Sequence, residues 1–196
     1  MKDIEKSMKK LILASKSARR RELLEMLGAD FDIITREVDE SYEGEIAPGE
    51  LVKMLARRKL DAVTNEADGS IVISSDTIVY CSGEVFGKPR DMDDARRMLR
   101  AMSGHYHEVY SGIAVGDGKK TVVDAVSTKV YFRHITDSEI ERYISESAVL
   151  DKAGAYGIQE RASLFVEKIE GDYFNIVGLP VCRLGEILRD EFGYDL

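Results

Sequence analysis

The chain has 196 residues, is 44% hydrophobic and 33% charged, and carries a net charge of −8. That length supports one good core, and the composition is that of an ordinary globular protein. The acidic balance argues against general nucleic-acid binding, which uses a basic surface, but not against a small anion held by a local donor cluster. No apolar run reaches membrane-spanning length, and no signal-peptide core precedes Leu11–Ala14, so a cytoplasmic protein with no membrane partner is expected. Cys81 and Cys182 form no metal spacing and read as two small core residues in a reducing compartment.

Taken in order, Leu11–Ala14 reads as a short strand, followed by the polar turn Ser15-Lys16-Ser17. A helix is predicted from Ala18 to Leu27, with Leu23, Leu24 and Leu27 on one face and Gly28 as its stop. Phe31–Thr35 is a second strand, and the acidic stretch from Arg36 to Gly49 is a loop. Pro48 opens a helix to about Ala62, with Leu51, Leu55 and Ala62 in phase. Ile71–Tyr80 is a β-branched apolar run interrupted by Ser74-Ser75-Asp76-Thr77. An acid in such a run must be paired, hydrogen-bonded or metal-bound.

Ser82-Gly83 predicts a hairpin into Glu84–Phe86, and Asp91 a cap for the following helix. Two long strands, His107–Val115 and Thr121–Phe132, flank the hairpin signal Gly116-Asp117-Gly118. Ile135–Ser145 is a helix capped at Thr136, Leu150–Gln159 an irregular Gly-rich stretch, and Leu164–Ile169 a strand. Pro180 opens the last helix, whose buried stripe is Val181, Leu184, Ile187 and Leu188. The expected architecture is one α/β unit with a mixed sheet, bilobed, without repeats or linkers.

Several groups can carry chemistry. Ser15-Lys16-Ser17-Ala18-Arg19-Arg20-Arg21 leaves a strand and enters a helix, whose free N–H groups and dipole attract phosphate. Its guanidinium groups suit the same anion. Val38-Asp39-Glu40 and Asp76 could together hold a hard divalent cation such as Mg²⁺. One of Arg57, Arg58 and Lys59 is expected to turn inward, and Lys88 in Gly87-Lys88-Pro89 is a candidate phosphate contact. The amide of Gln159, in a small-residue stretch, can read a base edge. P-loop, GxGxxG, GxSxG and HExxH motifs are absent, and His105-x-His107 reads as structural.

Leu13-Ala14-Ser15-x-Ser17-x-Arg19-Arg20-x-Glu22-Leu23-Leu24 resembles the opening motif of the Maf family of nucleoside triphosphate pyrophosphatases. The resemblance continues, in order, through Val38-Asp39-Glu40, Lys59, Asp76-Thr77, Gly87-Lys88-Pro89 and Leu99-x-x-x-Ser103-Gly104. It then takes in His107-x-Val109-Tyr110, Asp151–Gln159 and Val177-Gly178-Leu179-Pro180. Ala18 departs from the family's usual proline and removes no functional group.

The resemblance implies a mixed sheet flanked by helices, similar to inosine triphosphate pyrophosphatases, with a cleft between two lobes. One domain over residues 1–196 is expected. It implies cleavage of a nucleoside triphosphate between the α- and β-phosphates, with Asp76 as proton acceptor and a divalent cation, Mg²⁺ with Mn²⁺ or Co²⁺ as substitutes. By the same resemblance Arg19, Thr77 and Gln159 fall at specificity positions. Ser15, Arg20, Glu40, Lys59 and Lys88 fall at pocket positions, and homodimers are common in such proteins. From the residues alone, Asp76 is either the base or mainly a metal ligand.

Gln159 offers one donor and one acceptor to the N–H and C=O of a uracil or thymine edge. The relatives specific for 7-methyl-GTP carry glutamate there and an aromatic at the place of Arg19. The chain therefore resembles the dTTP/UTP branch, and modified pyrimidine nucleotides are further expected substrates. Another base choice such as 7-methyl-GTP, or a nucleotide-binding regulator of cell division, are the alternatives.

Overall fold

The computed structural model describes residues 9–196, so the charged residues 1–8 and the reading placed on them lie outside the described residues. Strands are β1 (Leu11–Leu13), β2 (Phe31–Ile33), β3 (Ile71–Cys81), β4 (Glu84–Phe86), β5 (Tyr106–Gly116), β6 (Thr121–Phe132) and β7 (Val166–Glu170). Helices are α1 (Ala18–Met26), α2 (Pro48–Thr64), α3 (Met92–Met102), α4 (Asp137–Glu146), α5 (Tyr173–Val177) and α6 (Val181–Phe192). The sheet is mixed, in the order β2-β1-β3-β5-β6-β7, with β4 paired to β3 off that path. β1 runs parallel to β2 and β3, and the other pairings are antiparallel.

The long central strand β3 organises the rest. β5 pairs with it from Val72 to Tyr80. On its other edge, β1 pairs only with Ile71–Ile73 and β4 only with Val79–Cys81. Residues 74–78 therefore face no strand on that edge, and the sheet forks there.

Strand alternation sends successive side chains to opposite faces. Ile71, Ile73, Val79 and Cys81 join the large core with α1, α3, α4 and α6. Val72 and Ile78 face α2, whose Leu51, Val52, Leu55, Ala56, Leu60 and Val63 are buried. Val63 takes the place expected for Ala62, which is only half-buried. Gly112 lets α2 lie directly on the sheet, since a Cβ there would come within 2.1 Å of the Val52 carbonyl oxygen. That close approach sets the height of α2 over β3.

Local signals behaved as expected. Asp91 caps α3 through Asp94 N–H, and Thr136 and Glu139 form a capping box on α4. Two expectations are corrected and one short helix is added. Residues 161–165 form a 3₁₀ turn, so β7 begins at Val166 rather than Leu164. The five-residue α5, capped by Asp172, is too short to leave a helical period in the sequence. Cys182 is exposed, not core, because α6 turns Leu184, Ile187 and Leu188 inward and Cys182 out; Cys81 is buried as expected. Among the described residues no helix is long and apolar enough to cross a membrane.

Candidate active site

A cavity of about 1010 Å³ opens at the fork. Its walls are the loop after β1, the acidic loop before α2, the middle of β3, Gly87-Lys88 after β4, and residues 151–160. The residues that the family resemblance puts at site positions all line it: Ser15, Arg19, Arg20, Glu40, Lys59, Asp76, Thr77, Lys88 and Gln159.

The alternation of β3 divides the polar residues at the fork. Ser74 and Asp76 point to the α2 face. Ser74 Oγ donates to the Ala56 carbonyl at 2.7 Å, and Asp76 Oδ1 accepts from Lys59 Nζ. Lys59 falls four residues after Leu55 and so lies near the buried stripe of α2. Its ammonium also meets Glu40 Oε1 at 2.8 Å, and so sits between two carboxylates. Arg57 and Arg58 turn away. Arg57 pairs with Asp61, while Arg58 donates to the Asp39 and Ser41 carbonyls at 2.9 and 2.7 Å, pinning the acidic loop to α2. Asp39 accepts from Ser41 N–H and does not enter the cavity lining, so of the acidic pair only Glu40 does.

Ser75 and Thr77 point to the opposite face. There Arg20 donates through Nε to the Gly178 carbonyl at 2.8 Å, through Nη1 to Ser15 Oγ at 3.3 Å and through Nη2 to Thr77 Oγ1 at 3.1 Å. Its three anchors are uncharged, so its positive charge is positioned without being neutralised by contact. Burial pulls Arg20 below its ordinary pKa, against the opposing charge of Asp76. Thr77 Oγ1 lies 2.8 Å from Ser111 Oγ, and Ser111 donates to the Asn175 carbonyl at 2.9 Å. With its proton used there, Ser111 must accept from Thr77, which leaves Thr77 a lone pair for Arg20. Gly178 O also accepts from Ser75 Oγ at 2.9 Å. Ser111 and Gly178 were not singled out as site residues, because one hydroxyl in a strand and one carbonyl leave no chemical signature in a sequence.

At the helix start, Ser17 caps α1 by accepting from Arg20 N–H, and Lys16 turns out to pair with Glu37. No acid lies in the first turn of α1, so that end keeps its affinity for an anion. Arg19 stands 3.9 Å from Asp151, and Lys88 and Gln159 are exposed along the walls. His107 is structural, as expected: it is buried, its Nε2 meets Tyr156 OH at 2.8 Å, and burial lowers its pKa to about 3.

Asp76 and Glu40 supply hard oxygen donors around one shared cation, and among the described residues no cluster of three or more metal-ligating side chains forms. A hard divalent ion that keeps waters and binds substrate phosphates needs only one or two carboxylates, so the pair fits such an ion.

Residues 10–191 match the family model described as Maf-like protein. A dTTP/UTP pyrophosphatase of Alkaliphilus metalliredigens (strain QYMF) is 51% identical over 192 residues, covering 96% of this chain and 100% of that relative. One of Dictyoglomus thermophilum is 47% identical, covering 96% and 98%. Among solved structures, the Staphylococcus aureus Ham1 protein matches with a TM-score of 0.46 and 14% identity over 63% of this chain and 72% of that one, too distant to carry an argument. With the family model spanning nearly the whole chain and relatives this similar over their full length, the chain belongs to the Maf family.

Proposed function

We propose that this chain hydrolyses dTTP and UTP, and modified pyrimidine nucleotides of the same form, to the nucleoside monophosphate and pyrophosphate. Relatives at 51% and 47% identity, each matched over nearly its whole length, carry the name dTTP/UTP pyrophosphatase. The observation that carries the mechanism is the fork of the sheet. It brings Asp76, held by Lys59, and Arg20, held by uncharged anchors, to one cavity from opposite faces.

In this reading a water oxygen bonds to the α-phosphorus as the bond to the bridging oxygen breaks, and pyrophosphate leaves with the electron pair. Asp76 takes the water's proton. Lys59 holds Oδ1, which leaves Oδ2 to orient the water. Arg20, Arg19 and Lys88 bind the triphosphate, and Ser15 and Thr77 keep the Arg20 fork aimed. Gln159 reads the pyrimidine edge. Asp76 and Glu40 would hold Mg²⁺, with Mn²⁺ or Co²⁺ as substitutes, and the bound ion supplies neutralisation of phosphate charge. We further propose one domain over residues 1–196, in a cytoplasmic homodimer without nucleic-acid partners.

The test is pyrophosphate release, coupled to inorganic pyrophosphatase and phosphate detection, over dTTP, UTP, GTP and 7-methyl-GTP. Wild type is expected to favour the pyrimidines, and Asp76→Asn to lose kcat by about 10²-fold or more while still binding dTTP. Near wild-type kcat in the variant removes Asp76 as the base. Wild-type preference for a guanine nucleotide replaces the substrate assignment, and tight binding without turnover of any nucleotide points to a regulator.

A further inference from the structure

Lys152 lies in the small-residue stretch Asp151–Gln159. Its side chain is 4% exposed. The ammonium donates to the Ala148 carbonyl and to Asp151 Oδ1 at 3.0 Å, and meets Glu160 Oε1 at 3.2 Å. Two of its N–H groups are used in those hydrogen bonds, and its charge is paired with both carboxylates.

The two carboxylates lead to the two ends of the base-reading wall. Asp151 turns its other oxygen, Oδ2, to Arg19 Nη1 at 3.9 Å. Glu160 directly follows Gln159. Between them Gly157 is packed against the pair, since a Cβ there would come within 3.0 Å of Lys152 Cε and 3.1 Å of Glu160 Cδ. The Gly157 N–H donates to Tyr143 OH at 3.2 Å, and its carbonyl accepts from Glu160 N–H at 3.0 Å. The turn that presents Gln159 is thus held by Tyr143 on one side and by the Lys152–Glu160 pair on the other. An ammonium is costly to remove from water unless paired, so this one keeps both carboxylates close.

We propose that Lys152 is a specificity-positioning residue: through Asp151 it sets Arg19, and through Glu160 it sets Gln159, at the separation that selects a pyrimidine nucleotide. This rests on the pyrimidine reading above. Lys152 touches neither the base nor the phosphates and acts through the other two side chains.

The experiment measures kcat and KM for dTTP, UTP, GTP and 7-methyl-GTP. The proteins are wild type, Lys152→Met, Glu160→Gln, Gln159→Ala and the double variant Lys152→Met/Gln159→Ala. Lys152→Met is expected to lower the dTTP-to-GTP ratio of kcat/KM by about tenfold or more, mainly through KM, because a small misplacement of positioning groups costs that much. Glu160→Gln should move the ratio the same way by less. In the Gln159→Ala background, Lys152→Met should change the ratio by less than it does in wild type, what remains acting through Arg19, and an equal change in both backgrounds overturns the proposal.

An equal fall for all four nucleotides overturns the proposal and makes Lys152 a support of the fold or a triphosphate contact. If Lys152→Met does not fold, Glu160→Gln decides, since Glu160 is 42% exposed and tolerates the change. An unchanged ratio there overturns the proposal too. A wild type without pyrimidine preference overturns the substrate reading first, and is seen before any variant is measured.

Discussion

Replacing Lys59 by Met separates what the fork costs in stability from what it contributes to catalysis. Asp76 is 11% and Lys59 18% exposed on their side chains, so the pair is close to buried. At an effective dielectric of about 20, unit charges about 4 Å apart attract by about 4 kcal/mol, and removing one partner of a buried pair costs about 3–5 kcal/mol. Residual water access reduces this to about 2–4 kcal/mol for Lys59→Met, and the lost pairing with the 59%-exposed Glu40 adds only about 0–1 kcal/mol. Asp76→Asn leaves Lys59 its Glu40 partner and should cost less, about 1–2 kcal/mol. The double variant, with both charges gone, should be more stable than the sum of the single losses by about 1–3 kcal/mol.

The assay is urea unfolding of all four proteins, with coincident fluorescence and circular-dichroism transitions to establish two-state behaviour. Activity should be lost in both single variants and stay lost in the double. Lys59→Met within about 0.5 kcal/mol of wild type, or strict additivity in the double, would refute the ion pair as the element that holds Asp76.

Gln159→Glu should lower kcat/KM for dTTP and UTP by about 10- to 100-fold, from the roughly 1–3 kcal/mol of an acceptor facing an acceptor, with guanine nucleotides losing much less. An equal fall for all nucleotides would mean that Gln159 does not read the base. Stability should also depend on His107, which burial keeps neutral down to about 3. Above the ordinary value near 6.5 both folded and unfolded chains are neutral there, and below it only the unfolded chain gains the proton. Stability therefore falls as pH drops, by about 2 kcal/mol at pH 5 from this group. The difference between wild type and His107→Gln, measured by urea unfolding at pH 7.5 and 5, should change by about that amount; a pH-independent difference refutes the assignment.

Local chemistry was legible in the residues themselves. The caps at Asp91 and Thr136, the Gly116-Asp117-Gly118 hairpin and the apolar run around Asp76 each depend on neighbours a few positions apart. The residues that meet at the cavity were legible because side-chain chemistry survives in a sequence, and the resemblance ordered them along nearly the whole chain. Lys59 rather than Arg57 or Arg58 also follows from the phase of α2, once Leu55 is placed inward. What only the tertiary structure decided depends on pairing between distant segments. β1 and β4 lie on the same edge of β3 and leave residues 74–78 between them, a consequence of register that no local pattern encodes. The same long-range packing put Ser111 and Gly178 behind Arg20. In each case the free energy comes from a partner far away in sequence: Gly178 lies 158 residues from Arg20, and Ser111 lies 34 from Thr77.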